Sequence, residues 1–170
     1  MEPVKSEFEE IYERYAQDVH RFALYLSGDG ALADDITSEA FVRLWASEEK
    51  IRTLTVKAYL FAIARHLYID SRRSASRFAE IDPELPEPGA NPEMRAFYRS
   101  ELRETLSMLQ EFPEVDRAAL LMRVQQELPY EEIARALGIS LAATKVKIHR
   151  ARLKLAERRT AAAPRTGEFK

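Results

Sequence analysis

A proline-rich segment in the middle of the chain limits the possible folds more than any other feature of the sequence. Pro83, Pro86, Pro88 and Pro92 stand close together among acidic residues. Such a segment cannot continue a helix, because proline lacks the backbone donor, and it has little apolar surface to bury. Residues 74–98 are therefore predicted to form a flexible linker that divides the chain into two modules.

Both flanking modules have the apolar periodicity of helices, and strand patterning is absent. In the first module, apolar residues recur at steps of three and four along the stretches 8–26, 36–45 and 56–73. In the second module, helices are predicted near 94–111, 114–126, 130–137 and 141–159, two of them starting at prolines. The predicted fold class is all-α, with two small helical domains at 1–73 and 99–159 joined by the flexible linker, and a flexible tail at 160–170.

The composition excludes several functional classes. No apolar run approaches the roughly 18 residues of a membrane span, and the acidic N-terminus lacks the apolar core of a signal peptide. The chain has no cysteine, which excludes disulfides, a thiolate nucleophile and a zinc ribbon. His20, His66 and His149 are far apart in sequence, and no phosphate loop or metal-ligand spacing is present. We expect a cytoplasmic protein without membrane insertion, metal, cofactor or enzymatic activity.

The positive charge is concentrated at the C-terminal end of the chain. The net charge is −2, but residues 145–170 hold 9 basic and 2 acidic side chains. Residues 1–73 hold 10 basic and 13 acidic side chains. One segment therefore carries the positive potential that phosphate contacts require. A solvated basic tail would have the same composition as a DNA-binding segment. The residues that precede it therefore decide between these two interpretations.

Residues 130–152 have the spacing of a helix-turn-helix. Ala134 supplies the small residue at the helix crossing, and Gly138 can adopt the left-handed conformation of the turn. Ser140 can cap the second helix, and the apolar inner faces are formed by Ile133, Leu137, Ile139 and Ile148. The second helix, 141–159, has seven basic residues and one acidic residue. The alternative interpretation, a buried helical hairpin with a glycine turn, is disfavoured because the second helix is so basic. A helix in this position of a helix-turn-helix enters the DNA major groove.

The side chains of this recognition helix are expected to divide between base edges and phosphates. Those predicted to lie on its exposed front, where they could contact base edges, are Lys145, Val146, His149 and Arg150. Those equally suited to phosphates, which position a protein without reading sequence, are Lys147, Arg152 and Lys154.

Three motifs occur in order along the chain: Asp34–Ile36 with Glu39–Trp45, then Lys57–Arg65 with Asp70–Arg73, and finally Tyr130–Ala134 with Lys145–Arg152. Together they resemble the motifs of extracytoplasmic-function (group IV) RNA polymerase sigma factors. The likeness covers about residues 6–73 and 100–157. It implies a sigma region 2 helical bundle in the first module and a sigma region 4 helix-turn-helix in the second.

The resemblance also implies three binding surfaces. Core polymerase would be bound at its largest-subunit clamp helices by Asp34, Asp35, Glu39, Leu44 and Trp45. The opened minus-ten strand would be held by Lys50, Arg52, Lys57, Tyr59, Arg65, His66, Arg72 and Arg73. The minus-thirty-five duplex would be read by Lys145, Val146, Lys147, His149, Arg150 and Arg152. Further implied partners are the polymerase flap and an anti-sigma factor.

Some of these assignments leave alternatives open. Phe41 is expected in the core and Trp45, at the helix end, as an interface anchor. Tyr59 could be a stacking platform for a base or a core residue. The linker could thread the RNA exit path or act as a solvated spacer.

Three positions depart from the family pattern. His66 stands where asparagine is usual and Tyr59 where tryptophan is usual, which leaves the minus-ten preference open. Thr144 replaces a β-branched apolar residue on the inner side of the recognition helix. Because threonine keeps the β-branched shape, we expect a modest stability cost and no change of fold.

The sequence therefore predicts a sigma factor that directs promoter-specific transcription initiation in a stress or signal response. One alternative is a sigma-like mimic that titrates an anti-sigma factor, but a mimic has no need of a basic recognition helix. Another is an ordinary helix-turn-helix regulator, which would not need the acidic helix at 34–45 that ends in an aromatic residue.

Overall fold

The structure, a computed structural model, describes residues 6–47, 54–74 and 92–162. Within these ranges the chain forms seven α-helices and no strand, so the all-α prediction is confirmed. The helices are α1 (Glu7–Ser27), α2 (Gly30–Ala46), α3 (Val56–Ser74), α4 (Pro92–Gln110), α5 (Glu114–Val124), α6 (Tyr130–Leu137) and α7 (Leu141–Ala162). Most of the predicted linker and of the predicted tail lies outside the described residues.

The helix ends follow from local sequence chemistry. Ser6 and Glu9 form a capping box at the start of α1, with Oγ of Ser6 accepting from the Glu9 N–H at 3.2 Å. Gly28, at φ 71°, ends α1, and Asp29 caps α2 by accepting from the Leu32 N–H at 3.1 Å. The turn between the two helices therefore takes only two residues.

Helices α1, α2 and α3 form a bundle around an apolar core. Phe22 of α1 meets Phe61 of α3 edge to face, with ring centroids 5.1 Å apart. Ile36 and Phe41 of α2 are buried against them, and Phe41 is only 2% exposed. Phe41 therefore occupies the core, as its place on the apolar stripe predicts.

The second module is built from α4 to α7 around α5. A buried arginine, Arg117, lies at its centre: Nη1 donates to the carbonyl oxygens of Phe112 and Leu109, at 2.9 and 3.4 Å. Nη2 donates to the Tyr68 hydroxyl at 3.0 Å. Burial lowers the pKa of Arg117, and the nearby Tyr68 and Glu114 act in the opposite direction. These hydrogen bonds offset part of the cost of removing the cation from water, while Nε of Arg117 is buried without a partner among the described residues.

The two modules pack against each other. Helices α4 and α5 contact α1, while α6 contacts α3, and the buried apolar residues form one continuous cluster. Polar contacts add to this seam: the Gln110 amide lies 3.4 and 3.3 Å from the carbonyl oxygens of Tyr25 and Leu26. The resting arrangement of the modules, which the sequence leaves open, is a closed one in this structure.

The described residues contain neither a candidate membrane span nor a candidate metal-binding cluster. None of the described helices is long and apolar enough to cross a membrane. Across the same ranges, no group of three or more histidine, aspartate or glutamate side chains could hold a metal ion.

Gly138, between α6 and α7, permits a test of the turn. It has φ 66°, and a Cβ added there would meet no atom within 4 Å, so a substitution would strain only the backbone. We expect Gly138→Ala to lower the free energy of unfolding by about 1–2 kcal/mol, the cost of a left-handed conformation for an L-residue. Urea unfolding followed by circular dichroism measures it.

The matched controls are Gly138→Asn and Gly30→Ala. Asparagine adopts the left-handed conformation more readily than alanine, so the Asn variant should lose less stability. Gly30 is the first residue of α2 and has no positive φ, so its replacement should cost nothing. Equal losses in all three variants would contradict a specific requirement at the turn.

Candidate nucleic-acid interface

Helices α6 and α7 have the geometry of a helix-turn-helix. At the turn, the Gly138 N–H donates to the Arg135 carbonyl at 3.3 Å and the Ile139 N–H to the Ala134 carbonyl at 3.1 Å. Oγ of Ser140 accepts from the Ala143 N–H at 3.0 Å, the cap predicted from sequence. Ala134 is buried where α6 crosses α7. The turn thus satisfies the backbone groups that a helix end would otherwise leave unpaired.

Thr144 is accommodated in the core of this unit without an unpaired polar atom. The side chain is fully buried, and its hydroxyl donates to the Ser140 carbonyl at 2.9 Å. Because the hydrogen bond is made within the first turn of α7, the hydroxyl needs no partner in the apolar core. This explains how a polar residue fits on the inner side of the recognition helix without altering the fold.

One face of α7 is exposed and basic. Lys145, Val146, His149 and Arg150, at helical spacings of one, four and five, all lie in solvent, and Val146 is 48% exposed. Among the described residues, none of these four side chains takes part in an ion pair. The structure therefore brings the four predicted base-contacting residues together on a surface available to a ligand.

The three basic residues of α7 that were predicted to suit phosphates differ from one another in their surroundings. Lys147 is half-buried, and its Nζ lies 3.2 Å from Oδ1 of Asp116 in α5. Lys154 lies over the Phe112 ring at 5.0 Å, whereas Arg152 is exposed. Lys147 thus has a partner in the protein, a role that the basic pattern did not indicate.

The residues predicted to bind polymerase lie mainly on one surface of α2. Asp34, Asp35 and Glu39 are exposed, Leu44 is partly buried, and Trp45 is 69% exposed. His20 of α1 holds Asp34, with Nε2 and Oδ1 2.8 Å apart. The structure places acids along the helix and a large aromatic side chain at its end.

Two aromatic residues of α1 extend this surface, and the sequence reasoning missed them. The Phe8 ring meets that of Trp45 at 4.8 Å between centroids, and Tyr12 meets Phe41 at the same separation. Tyr12 is 48% exposed. Both residues belong to the apolar stripe of α1, so the only signal in the sequence was the position of this stripe close to the helix start.

The residues predicted to bind the minus-ten strand differ in their exposure and in their partners. His66, Arg72 and Arg73 are exposed, whereas Tyr59 is half-buried and packs on the core. Lys50 and Arg52 lie outside the described residues. The other two cations, Lys57 and Arg65, have partners in the second module, at Gln126 and Glu114 respectively.

Comparisons with known proteins agree with a division of the chain into two helical modules. A family profile described as Sigma-70 region 2 matches residues 11–78, and one described as Sigma-70, region 4 matches residues 102–155. The ECF RNA polymerase sigma factor SigM of Bacillus subtilis is 32% identical over 149 residues, which are 86% of this chain and 91% of SigM. SigE of Mycolicibacterium smegmatis is 32% identical over 154 residues, or 87% of this chain, but the match spans only 60% of SigE.

Solved structures share the fold over both modules. The sigma factor RpoE of Bartonella quintana, in complex with the anti-sigma factor NepR, matches 92% of this chain and 99% of its own at a TM-score of 0.72 and 20% identity. CnrH, in complex with the cytosolic domain of CnrY, matches 92% of this chain and 89% of its own at a TM-score of 0.70 and 22% identity.

The different surroundings of Lys147 and Lys145 predict different effects on stability. Lys147→Ala leaves the buried Asp116 carboxylate without its partner, so the free energy of unfolding should fall by about 1–3 kcal/mol. Lys145→Ala alters an exposed side chain and should change it by no more than about 0.5 kcal/mol. Urea unfolding of the two variants measures the difference, and similar values would show that the Lys147–Asp116 pair contributes nothing.

Proposed function

The chain belongs to the extracytoplasmic-function family of RNA polymerase sigma factors, and we propose that three of its helices divide the family's function among them. As a member, it is a regulatory DNA-binding protein that directs transcription initiation. In the proposal α2 binds core RNA polymerase, α3 holds the minus-ten strand and α7 reads the minus-thirty-five duplex. The domains would be residues 1–73 and 99–159, with 74–98 as linker.

The exposed basic face of α7 is the observation that carries the proposal. Lys145, His149 and Arg150 present cationic or hydrogen-bonding heads on the second helix of a helix-turn-helix, the element that enters the major groove. Lysine and arginine can donate to the guanine edge there, and Val146 offers an apolar contact. Arg152 is suited to a phosphate, while Lys147 would have to leave Asp116 to contact DNA.

The surface of α2 has the chemistry of a helix-on-helix interface for the clamp helices of the polymerase. Exposed acids lie along it, and Trp45 forms an apolar anchor at its end. Phe8 packs against the Trp45 ring, a contact that would help to preorganise the indole for a partner. A large, preorganised aromatic side chain is the type of residue that contributes most to binding energy at an interface.

The surface of α3 supplies cations for the opened strand. Arg72 and Arg73 are exposed cations, and His66 is an exposed hydrogen-bonding side chain. Cations that track a backbone are what single-stranded DNA binding requires. Tyr59, half-buried on the core, would serve mainly to support the helix. Opening of a promoter also needs the polymerase, so this surface would act after the chain has bound core enzyme.

Further partners are the polymerase flap and an anti-sigma factor. An anti-sigma partner is supported by the two solved relatives, RpoE and CnrH, the first of which is described with an anti-sigma factor and the second with CnrY. The mimic hypothesis is less well supported, because titrating such a partner does not require the basic face of α7. The proposal places the chain in the cytoplasm, in a stress or signal response.

In vitro transcription with purified core polymerase tests the proposed function. The chain and core enzyme together should give transcripts that start at defined sites on some promoter fragments of the source genome, and core enzyme alone should not. Absence of specific transcripts from every fragment would favour the mimic.

Substitutions on α7 distinguish reading of bases from binding of phosphates. Lys145→Ala and Arg150→Ala should each weaken binding to promoter DNA by about 1–3 kcal/mol and relax specificity. The control, Arg152→Ala, should weaken binding to promoter and random duplexes alike and reduce the salt dependence. Fluorescence anisotropy on both duplexes measures these losses, and a uniform loss for Lys145→Ala would assign that residue to phosphate instead.

Trp45→Ala tests the polymerase-binding surface. Binding to core enzyme should weaken by about 2 kcal/mol or more, as is typical of aromatic anchors that become buried at an interface. Binding to duplex DNA should stay unchanged. The control is Val124→Ala, because Val124 is an exposed apolar residue on α5 and its truncation removes apolar surface elsewhere on the protein. Surface plasmon resonance with immobilised core enzyme measures both, and equal affinities would exclude Trp45 from the interface.

A further inference from the structure

A side-chain contact between α1 and α2 has its acidic member on the proposed polymerase-binding surface. Nε2 of His20 in α1 lies 2.8 Å from Oδ1 of Asp34 in α2. An ionised carboxylate can only accept a hydrogen bond, so Nε2 carries the proton and His20 is the donor. Asp34 is one of the three acids assigned to polymerase binding, whereas His20 has no role in that assignment.

The three acids of this surface differ in what holds them. Glu39 accepts from Nε of Arg43 in its own helix at 3.2 Å. Asp35 takes part in no ion pair with another residue that the structure describes. Asp34, in contrast, is tied to a different helix, so its orientation depends on the way in which α1 packs against α2.

The contact leaves the Asp34 carboxylate open to a partner. The side chain of Asp34 is 74% exposed, although that of His20 is only 30% exposed. Oδ1 accepts from His20, which leaves Oδ2 as a free acceptor. A neutral imidazole donates without adding a charge, whereas the guanidinium that holds Glu39 is always positive. The contact therefore orients the carboxylate of Asp34 without covering it.

Other contacts pack α1 against α2. Phe22, Ile36 and Phe41 are buried in the apolar core that the two helices share, and the Tyr12 ring meets that of Phe41 at 4.8 Å between centroids. An exposed polar pair contributes little to stability by comparison. Loss of the His20 donor should therefore leave the fold intact, so an effect of this residue on binding can be measured separately.

The pair also borders a cleft from which a partner can approach. His20 and Asp34 line a cleft of about 660 Å³ between α1, α2 and α4, to which Ser38 of α2 and Leu102 of α4 contribute as well. A side chain that enters this cleft reaches Oδ2 of Asp34. Because the exposed groups that α2 presents here are acids, a cationic side chain is the complementary partner.

We propose that His20 is a positioning residue for polymerase binding: it holds the Asp34 carboxylate in the orientation in which Oδ2 accepts from a cationic side chain of the polymerase. The proposal rests on the assignment of α2 in the proposed function. A side chain that is fixed before binding loses less freedom when the complex forms, and that loss otherwise weakens binding. His20 acts through Asp34, so its contribution should vanish when the carboxylate is absent.

Three substitutions of His20 separate the hydrogen-bond donor from the rest of the side chain. In glutamine the amide nitrogen can occupy the place of Nε2, whereas in asparagine it lies nearer the backbone, at the place of Nδ1. His20→Gln should keep the affinity for core polymerase within about twofold of the parent, and His20→Asn and His20→Leu should lower it about fivefold. Surface plasmon resonance of the full-length chain over immobilised core enzyme measures these affinities.

His20→Gln and His20→Asn are matched controls for each other, because both keep an amide and they differ by one methylene group. Equal affinities of these two variants would overturn the proposal, and the comparison holds even if the leucine variant does not fold. All the variants should unfold at nearly the urea concentration of the parent, since the pair is exposed. A loss of affinity that follows the urea midpoint from variant to variant would assign His20 to fold stability instead.

A double-mutant cycle tests whether His20 acts through Asp34. Asp34→Ala alone should weaken binding to core enzyme, and the addition of His20→Asn should then cause no further loss. Asp35→Ala is the matched control, because it removes the same group from the neighbouring position. In the Asp35 cycle the two losses should multiply, since His20 does not hold that residue. Losses that multiply in both cycles would overturn the proposal.

The same measurements separate this proposal from the assignment of α2. If Asp34→Ala, Asp35→Ala and Trp45→Ala all leave the affinity for core enzyme unchanged, α2 does not bind polymerase, and the assignment and the positioning role are both wrong. If these variants weaken binding but His20→Asn does not, only the positioning role is wrong and the assignment of α2 stands.

Discussion

The guanidinium of Arg117 joins the two halves of the structure, and the packed arrangement of the helices depends on it. Arg117 has the largest fully buried side chain among the residues that the structure describes, and it donates to the Phe112 carbonyl in the turn between α4 and α5 and to the Tyr68 hydroxyl of α3. Hydrogen bonds from both terminal nitrogens offset part of the cost of burying this cation. Arg117 therefore keeps Tyr68, and α3 with it, against α5, and this position brings Arg65 and Glu114 together.

This arrangement makes the two proposed DNA-binding surfaces of the chain unequal in exposure. Helix α7 packs on α5 through its apolar side and directs the basic face to solvent, whereas α3 lies between its own bundle and the second module.

Much of the fold and part of the candidate site could be predicted from the sequence. The predicted helix beginning at Val56 and the helix-turn-helix with Gly138 at its turn are both present, because apolar spacing and end signals act within a few residues. The exposed group on α7 was predicted for the same reason. The aromatic contact of Phe8 with Trp45 was missed, since nothing local shows which faces of two helices meet.

The sequence by itself determined the helices, their ends, the helix-turn-helix and the concentration of positive charge at the C-terminal end. Only the tertiary structure decided which cations form ion pairs. Lys145 and Lys147 are equivalent in composition, as are Arg65 and Arg72, yet one of each pair is held by a carboxylate from another helix. The physical reason is that exposure and ion pairing depend on contacts between distant residues, such as the 49 positions that separate Arg65 from Glu114, and helical periodicity does not encode these.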